Sequence, residues 1–377
     1  RDDIEMKDED LKYFENLCNM LYGPSSQQEK QKADEELTKI MKNPSFANDV
    51  EYVLKYSQNN YALTCLSISL KHIILDNWVS FNADRRLEIR NSLIDYIRNN
   101  GPKLNSLVFR SLSQAISLIT KLSWISDRRH RSLLDSIEGI IEMGPAYSII
   151  GLDMMSDFVE QMNLPNTMDS TEHRRTATQF ISENLLDIFE YALSVFRQIH
   201  NGNPLYSDPS YRNAVLESIS SIVSRCLQFD FQGCTGDEGS DEVWVLQLPA
   251  TWEGLVCNSN MLRMLFDIYM SVESPLTRSV LEIIMLFASV RRSLFRDGTA
   301  RLEFLNVLIQ GVQKCLEMGY GLTDEDTYNM MCQLLGRLKS NFQLSELMKT
   351  PGYAPCFELI ANFTCTSLRD WNACSNS

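Results

Sequence analysis

The chain has 377 residues, 44% of them hydrophobic and 22% charged, and a formal net charge of -14. This hydrophobic fraction is typical of a folded globular protein, and the length exceeds one ordinary core unless the chain is built from repeats. Nucleic acid and anionic membranes repel an acidic surface and are excluded as main partners, whereas a basic protein surface is a compatible partner.

The longest apolar run, Ile283 to Ala288, is much shorter than the ~20 residues that span a bilayer, so no membrane insertion is expected. The ten cysteines include no CxxC pair, and no histidine lies near them in the spacing of a zinc site. Free thiols and a soluble, intracellular protein are therefore predicted.

Amphipathic helical patterns follow one another in pairs along the chain, separated by turns rich in Gly, Pro and Asn. We call the first helix of a pair outer and the second inner. The predicted pairs are 11–22 with 27–42, 45–57 with 59–78, 83–99 with 104–124, 128–143 with 146–163, 171–200 with 211–229, 260–272 with 275–295, and 299–318 with 323–344.

A last outer helix is predicted over 353–371, without an inner partner before the chain ends. Its apolar residues Phe357, Ile360 and Phe363 are therefore expected to be exposed and to promote self-association. The chain is interpreted as ending within its array of helix pairs.

The inner helix at 59–78 shows the pattern most clearly. One face carries the apolar residues Leu63, Leu66, Leu70, Ile73 and Ile74, which predict a buried stripe. A second face carries polar residues at the same spacing, and similar polar stripes recur on the later inner helices. Stacking would align these stripes into one concave polar surface, although any amphipathic helix has a polar face exposed to solvent.

Helix pairs at a period of roughly 40 residues are typical of HEAT or armadillo repeats. The predicted fold is therefore all-α, a right-handed α-solenoid of stacked HEAT-type helix pairs. The expected organisation is N-terminal pairs over 1–163, a longer pair over 164–229, an acidic and aromatic loop over 230–259, and further pairs over 260–377.

The loop over 230–259 interrupts the helices with an acidic run and two tryptophans. Loops of this length within compact domains are commonly functional or disordered. The carboxylates of Asp237, Glu238, Asp241 and Glu242 either attract a basic partner or form an exposed tip, and Trp244 and Trp252 predict that the second half docks on the fold.

The motifs of phosphate-binding loops, serine hydrolases and zinc proteases are absent from the sequence. The four histidines are scattered, and each is expected to be exposed or hydrogen-bonded. The sequence thus predicts no enzyme activity, no metal site and no cofactor.

Several segments resemble the importin-β superfamily of nuclear transport receptors, and the resemblance covers essentially the whole chain. It departs at Met154-Met155 and around Asn163–Ser170, as a divergent member would. Early residues that carry it are Ala33, Leu37, Tyr61, Ala62, Trp78, Arg86, Ile89 and Arg90. More specific segments are Leu227–Phe231, Leu248–Trp252, Ala288–Phe295 and Arg337–Leu344.

This resemblance implies the N-terminal part of a receptor that shuttles between nucleus and cytoplasm. It implies binding to Ran in its GTP form, to protein cargo and to nucleoporins, with the GTP carried by Ran. Ran and cargo would raise each other's affinity until GTP hydrolysis releases both. Carried over from the superfamily, the candidate Ran contacts are Asn60, Thr64, Ser67, Lys71, Arg110 and Ser113, all expected to be exposed.

Two alternatives to an export receptor remain open from the residues. A static HEAT scaffold, such as a phosphatase or coat subunit, would bind its partner whatever the nucleotide. An import receptor of the same superfamily would release cargo on meeting the GTP form of Ran.

Overall fold

The computed structural model describes residues 6–43, 45–165, 168–231 and 245–375, with the backbone alone for 370–375. Its helices are α1 (Asp8–Tyr22), α2 (Gln27–Lys42), α3 (Phe46–Tyr56), α4 (Asn60–Asn77), α5 (Ala83–Asn100), α6 (Ser106–Ser123), α7 (Leu133–Ile141), α8 (Pro145–Asn163), α9 (Ser170–Phe180), α10 (Leu186–His200), α11 (Pro209–Leu227), α12 (Glu253–Val256), α13 (Ser259–Tyr269), α14 (Leu276–Ala288), α15 (Gly298–Met318), α16 (Glu325–Asn341), α17 (Leu344–Leu347) and α18 (Tyr353–Ser375).

The first compact unit, Arg1–Ala177, is a stack of helix pairs. Each outer helix packs on its inner partner, as α3 does on α4 and α7 on α8. The inner helices also pack side by side in the order α4, α6, α8, and the outer helices α3 and α5 touch in the same way.

The second compact unit, Thr178–Ser377, has the same two layers, with α10 packed on α11 and α13 on α14. Its inner helices pack in the order α11, α14, α16, and its outer helices in the order α10, α13, α15, α18. A π-helical segment, Ile181–Leu185, joins α9 to α10, so the helical backbone runs from residue 170 to residue 200. The predicted all-α solenoid is confirmed, while its right-handedness stays a prediction.

Asparagine and aspartate side chains set where many helices begin. Asn59 accepts hydrogen bonds from the backbone N–H groups of Tyr61 and Ala62, at 2.9 and 3.2 Å, and Asn105 accepts one from Leu107 at 2.8 Å. These bonds satisfy N–H groups that have no partner within the helix. The starts of the inner helices α4 and α6 are therefore defined locally.

The core lies between the two helix layers of each unit. In α4 the predicted stripe is buried at Leu66, Leu70, Ile73 and Ile74, while Leu63 is half-buried. Fully burying such side chains stabilises a fold by about 1.5–3 kcal/mol each. The hydrophobic periodicity thus placed this core correctly at four of its five positions.

The ends of α4 and α6 make the same kind of contact with the segment that follows each of them. Trp78 and Trp124 each follow an inner helix, and an arginine from the next segment lies over each indole ring: Arg86 at 4.1 Å and Arg131 at 5.7 Å from the ring centroid. Arg86 also donates to the Trp78 carbonyl at 2.8 Å, and Arg131 to that of Trp124 at 3.3 Å. This repeated cation–π contact attaches each inner helix to the following repeat.

The prediction that every histidine is exposed or hydrogen-bonded is wrong for His130. Its ring is fully buried, and neither ring nitrogen has a hydrogen-bond partner in the described chain. Burial, followed by the nearby charge of Arg90, lowers the pKa of His130 to about 4. The imidazole is therefore neutral at physiological pH and packs as a core residue.

Candidate protein-binding surface

The helices α4 and α6 correspond residue by residue, since both span eighteen residues, begin after an asparagine cap and end before a tryptophan. Counted from the caps Asn59 and Asn105, Tyr61 of α4 corresponds to Leu107 of α6, and Ser67 corresponds to Ser113. Their exposures agree, because Tyr61 and Leu107 are 45% and 46% exposed, whereas the two serines are buried. The first halves of α4 and α6 therefore present equivalent faces, whereas the exposed Lys71 and His72 of α4 correspond to the buried Ser117 and Leu118 of α6.

The six candidate Ran contacts divide by exposure. Asn60, Lys71 and Arg110 are exposed, and Thr64 is half-buried. Ser67 and Ser113 are only 2% and 1% exposed, so the expectation that they belong to the accessible surface is wrong.

Both serines lie on inner helices that pack on a neighbouring inner helix, α4 on α6 and α6 on α8, and both are buried. A serine tolerates this position since its hydroxyl can bond to its own helix: Ser67 donates to the Leu63 carbonyl at 2.6 Å. Ser289 in the second unit does the same with Met285 at 2.8 Å, whereas the Ser113 hydroxyl has no partner in the described chain. Polar spacing alone does not distinguish such a serine from one facing water.

Residues that the polar pattern missed occupy the accessible face of α4. Tyr61 and Ile68 are 45% and 50% exposed, and together with Thr64 and Lys71 they recur every three or four residues, which places them along one face. We call these four residues, with Leu107 and Arg110 of α6, the inner ridge. The sequence does contain a signal for Ile68, because this isoleucine has the same helical spacing as the polar residues Thr64 and Lys71.

The inner ridge combines apolar groups with two cations. Tyr61 stacks on Tyr22 of α1, with ring centroids 5.9 Å apart. Neither Lys71 nor Arg110 forms an ion pair with a described residue. Aromatic and aliphatic side chains beside unpaired cations are typical of a protein-binding surface and suit a partner that carries carboxylates.

A buried lysine lies behind this surface. Lys121 of α6 is fully buried, and its ammonium donates to the carbonyls of Gln161, at 3.0 Å, and Leu164 at the end of α8. Burial, and then the charge of Lys71, lowers the pKa of Lys121 to about 8. The ammonium caps α8 and thereby connects two consecutive inner helices.

The four acidic-loop candidates, Asp237, Glu238, Asp241 and Glu242, lie outside the described residues, as does Trp244. The chain on both sides of them is well packed. Trp252 is fully buried, stacks on Phe189 at 4.5 Å and meets the edge of Phe231 at 5.5 Å. Trp252 therefore docks on the fold, as the sequence predicts.

Three of the segments that carry the family resemblance, Leu248–Trp252, Ala288–Phe295 and Arg337–Leu344, lie close together in the second unit. The backbone N–H of Leu246 donates to the Ser289 carbonyl at 2.9 Å, and Arg291 donates to the Leu248 carbonyl at 3.0 Å. Asn341 donates to the carbonyls of Ala288 and Val290, at 2.8 and 2.9 Å. These residues join α14, the end of α16 and the segment after the acidic run, so their role in the structure is architectural.

No helix in the described part of the chain is long and apolar enough to cross a membrane. Within the same residues, no group of three or more potential ligands is arranged to hold a metal ion.

Stacked helix pairs in two layers place the chain in the class of α-solenoid proteins. No protein-family model matches it. Along 97% of its length, however, the chain is similar to proteins named exportin-7 and Ran-binding protein 17.

Exportin-7-B of Xenopus laevis is 32% identical over 372 residues, and Ran-binding protein 17 of Homo sapiens is 31% identical over 376 residues. Ran-binding protein 16 of Drosophila melanogaster is 29% identical over 378 residues, which cover 98% of this chain. In all three cases the chain spans 34% of the relative's length, about a third.

Proposed function

We propose that the chain is the N-terminal portion of a nuclear export receptor of the importin-β superfamily, and that its inner ridge contacts Ran in the GTP form. The observation that carries this proposal is homology along nearly the whole chain to proteins named as exportins and Ran-binding proteins. The inner ridge supports it physically, because it exposes Tyr61, Ile68 and Leu107 beside Lys71 and Arg110, which form no ion pair with a described residue.

The proposed mechanism is thermodynamic linkage. Ran in its GTP form and protein cargo bind the receptor, each raises the affinity of the other, and GTP hydrolysis on Ran releases both. The chain itself supplies binding surfaces and no catalytic group, and GTP enters only as the ligand of Ran. Such a receptor shuttles between nucleus and cytoplasm and contacts nucleoporins on the way.

The first prediction concerns Ile68. Replacing it by arginine, Ile68→Arg, puts a charged side chain at the centre of the inner ridge without disturbing the core, because half of the Ile68 side chain is already exposed. Affinity for the GTP form of Ran is expected to fall at least tenfold, about 1.4 kcal/mol. Titration of labelled Ran loaded with a non-hydrolysable GTP analogue measures this change.

Leu205→Arg is the matched control, since Leu205 is 56% exposed and belongs to the second unit, whereas the inner ridge belongs to the first. Its affinity for Ran should equal that of the parent. Unchanged affinity of Ile68→Arg would refute this location of the Ran site. Equal affinity of the parent chain for the GTP and GDP forms would instead favour a static scaffold, and loss of cargo on adding the GTP form would favour an import receptor.

Two other positions of α3 and α4 are unsuitable for this test. Ser67→Arg would force a guanidinium into a buried position, so weaker binding would only report misfolding. Glu51 of α3 is unsuitable as a control position, because it forms an ion pair with Arg85 at 3.0 Å and is half-buried.

A further inference from the structure

A groove of about 670 Å³ lies between the second and third helix pairs, where α3 and α5 end and α4 and α6 begin. Its apolar lining comes from Leu54, Leu63, Leu104 and Val108. The remaining lining is polar or charged, and the volume falls within the range of established ligand sites. The groove is large enough for several residues of a peptide.

The charged lining residues of this groove that form no ion pair with a described residue are both cations. Lys55 and Lys103 line it and are exposed, and neither forms an ion pair with a described residue. The two carboxylates of the lining are already paired: Glu51 with Arg85 at 3.0 Å, and Asp95 with Arg98 at 3.6 Å.

Arg85 also pairs with Glu88 at 3.4 Å. Counting partners outside the lining, four cations (Lys55, Lys103, Arg85 and Arg98) face four carboxylates (Glu51, Asp95, Glu88 and Glu15, which accepts from the Ser57 hydroxyl at 2.7 Å). The charged lining residues without an ion pair to a described residue are nevertheless the two lysines, and this favours an anionic ligand.

Three side-chain carboxamides that line the same groove form no hydrogen bond with a described residue. Gln58, Asn60 and Asn99 are exposed, and their side chains make no hydrogen bond to a described residue. By contrast, Asn100 donates to the Tyr96 carbonyl at 3.1 Å, and Asn105 caps α6. A free carboxamide both donates and accepts, so it matches the N–H and C=O groups of an extended backbone.

We propose that this groove binds an extended, acidic segment of a partner protein. An extended backbone leaves its N–H and C=O groups free for Gln58, Asn60 and Asn99, whereas a helix satisfies its own. Acidic side chains would meet Lys55 and Lys103, and small or apolar ones the apolar lining. The proposal does not rest on Ran binding, and it is tested without Ran.

The probe is a fluorescent peptide of alternating serine and glutamate, about eight residues long, which extends to about 28 Å. Fluorescence anisotropy should show binding to the parent chain that weakens as salt rises. The double variant Lys55→Glu/Lys103→Glu should bind at least tenfold more weakly. The matched control, Lys12→Glu/Lys32→Glu, changes two exposed lysines outside the groove by the same charge and should bind like the parent.

Backbone recognition is tested separately with Asn60→Ala/Asn99→Ala, which keeps the charge and should weaken binding several-fold. Circular dichroism should show that every variant remains helical, as expected for exposed positions. The proposal is overturned if the Lys55→Glu/Lys103→Glu variant binds like the parent, or if the alanine variant does. It is also overturned if a serine–lysine peptide or single-stranded DNA binds as tightly as the acidic peptide.

Discussion

The side chain of Arg301 connects three parts of the second unit. It is 2% exposed, and its guanidinium lies 4.4 Å from the ring centroid of Phe342 and 5.2 Å from that of Phe295. It donates to the Glu346 carboxylate at 2.9 Å and to the Asn341 carbonyl at 2.6 Å. Burial lowers the pKa of Arg301, which remains charged at physiological pH.

Glu346 depends on this partner. Its burial would raise its pKa, but the Gln343 backbone N–H and the Arg301 guanidinium lower it overall. The carboxylate therefore stabilises the fold above its ordinary pKa, and this contribution is lost as the pH falls through the lowered value. At physiological pH the pair is charged on both sides.

Removing either Arg301 or Glu346 alone should thus lower the stability of the fold. We expect Arg301→Met to lower the free energy of unfolding by up to about 3–5 kcal/mol, because the buried Glu346 carboxylate keeps only the more distant cation Arg292, at 3.9 Å. Urea denaturation followed by circular dichroism measures this loss. The exposed Arg296 provides the control Arg296→Met, which should change stability by less than about 0.5 kcal/mol.

The double variant Arg301→Met/Glu346→Met should recover much of the loss, since neither charge then remains buried. If the double variant were as unstable as Arg301→Met, the packing of the guanidinium between Phe295 and Phe342 would be the main contribution, and the charge argument would be refuted.

At the scale of helices, the distance between two packed helices is set at some contacts by a glycine. A Cβ on Gly311 of α15 would lie 2.3 Å from the Phe266 ring of α13, and one on Gly151 of α8 would lie 2.5 Å from Ile141. These glycines therefore permit close packing between neighbouring helices. Gly336, in α16, has open space around the equivalent position.

The two kinds of glycine should respond oppositely to alanine. We expect Gly311→Ala to destabilise the chain by about 1–3 kcal/mol, because the new methyl group overlaps the Phe266 ring. Gly336→Ala should stabilise it by about 0.5–1 kcal/mol, as alanine normally does within a helix. Thermal unfolding of both variants measures the difference, and a stabilised Gly311→Ala would mean that the α13–α15 contact is looser than described.

Helix positions were predictable because hydrophobic periodicity and asparagine caps are local signals. The pattern placed α4 at 59–78, and the structure has Asn60–Asn77. Which polar residue faces a neighbouring helix is not a local property. Ser67 and Thr64 follow the same polar spacing, yet the packing of adjacent helices buries only Ser67. The inner ridge could therefore be predicted only in part. Glu51 and Lys55 lie four residues apart in α3, but Glu51 pairs with Arg85 of the neighbouring helix α5, which the pattern of α3 alone does not show.

Over the whole molecule, the two compact units should respond separately to damage. In stacked repeats each element contacts mainly its neighbours, so a local defect spreads only through successive interfaces. Leu66→Asp buries an unpaired carboxylate in the core of the first unit, where Leu66 is fully buried. We expect amide hydrogen exchange to lose protection in α3 to α6 while α13 to α16 remain protected.

Met143→Asp is the control for that experiment, because Met143 is 48% exposed in the same unit. It should leave exchange unchanged throughout. Equal loss of protection in both units of Leu66→Asp would show that the chain unfolds as one cooperative block.

The described residues on either side of 232–244 are held by contacts with the second unit, and this has a practical consequence for labelling. Phe231 and Trp252 are in contact at 5.5 Å, and Leu246 is bonded to the backbone of Ser289, so both attachment points are held by the second unit. Lengthening a connection between fixed points costs little, because loop entropy grows only with the logarithm of length. A fluorescent reporter or affinity tag inserted there would leave both chain termini unmodified and the inner ridge unaltered.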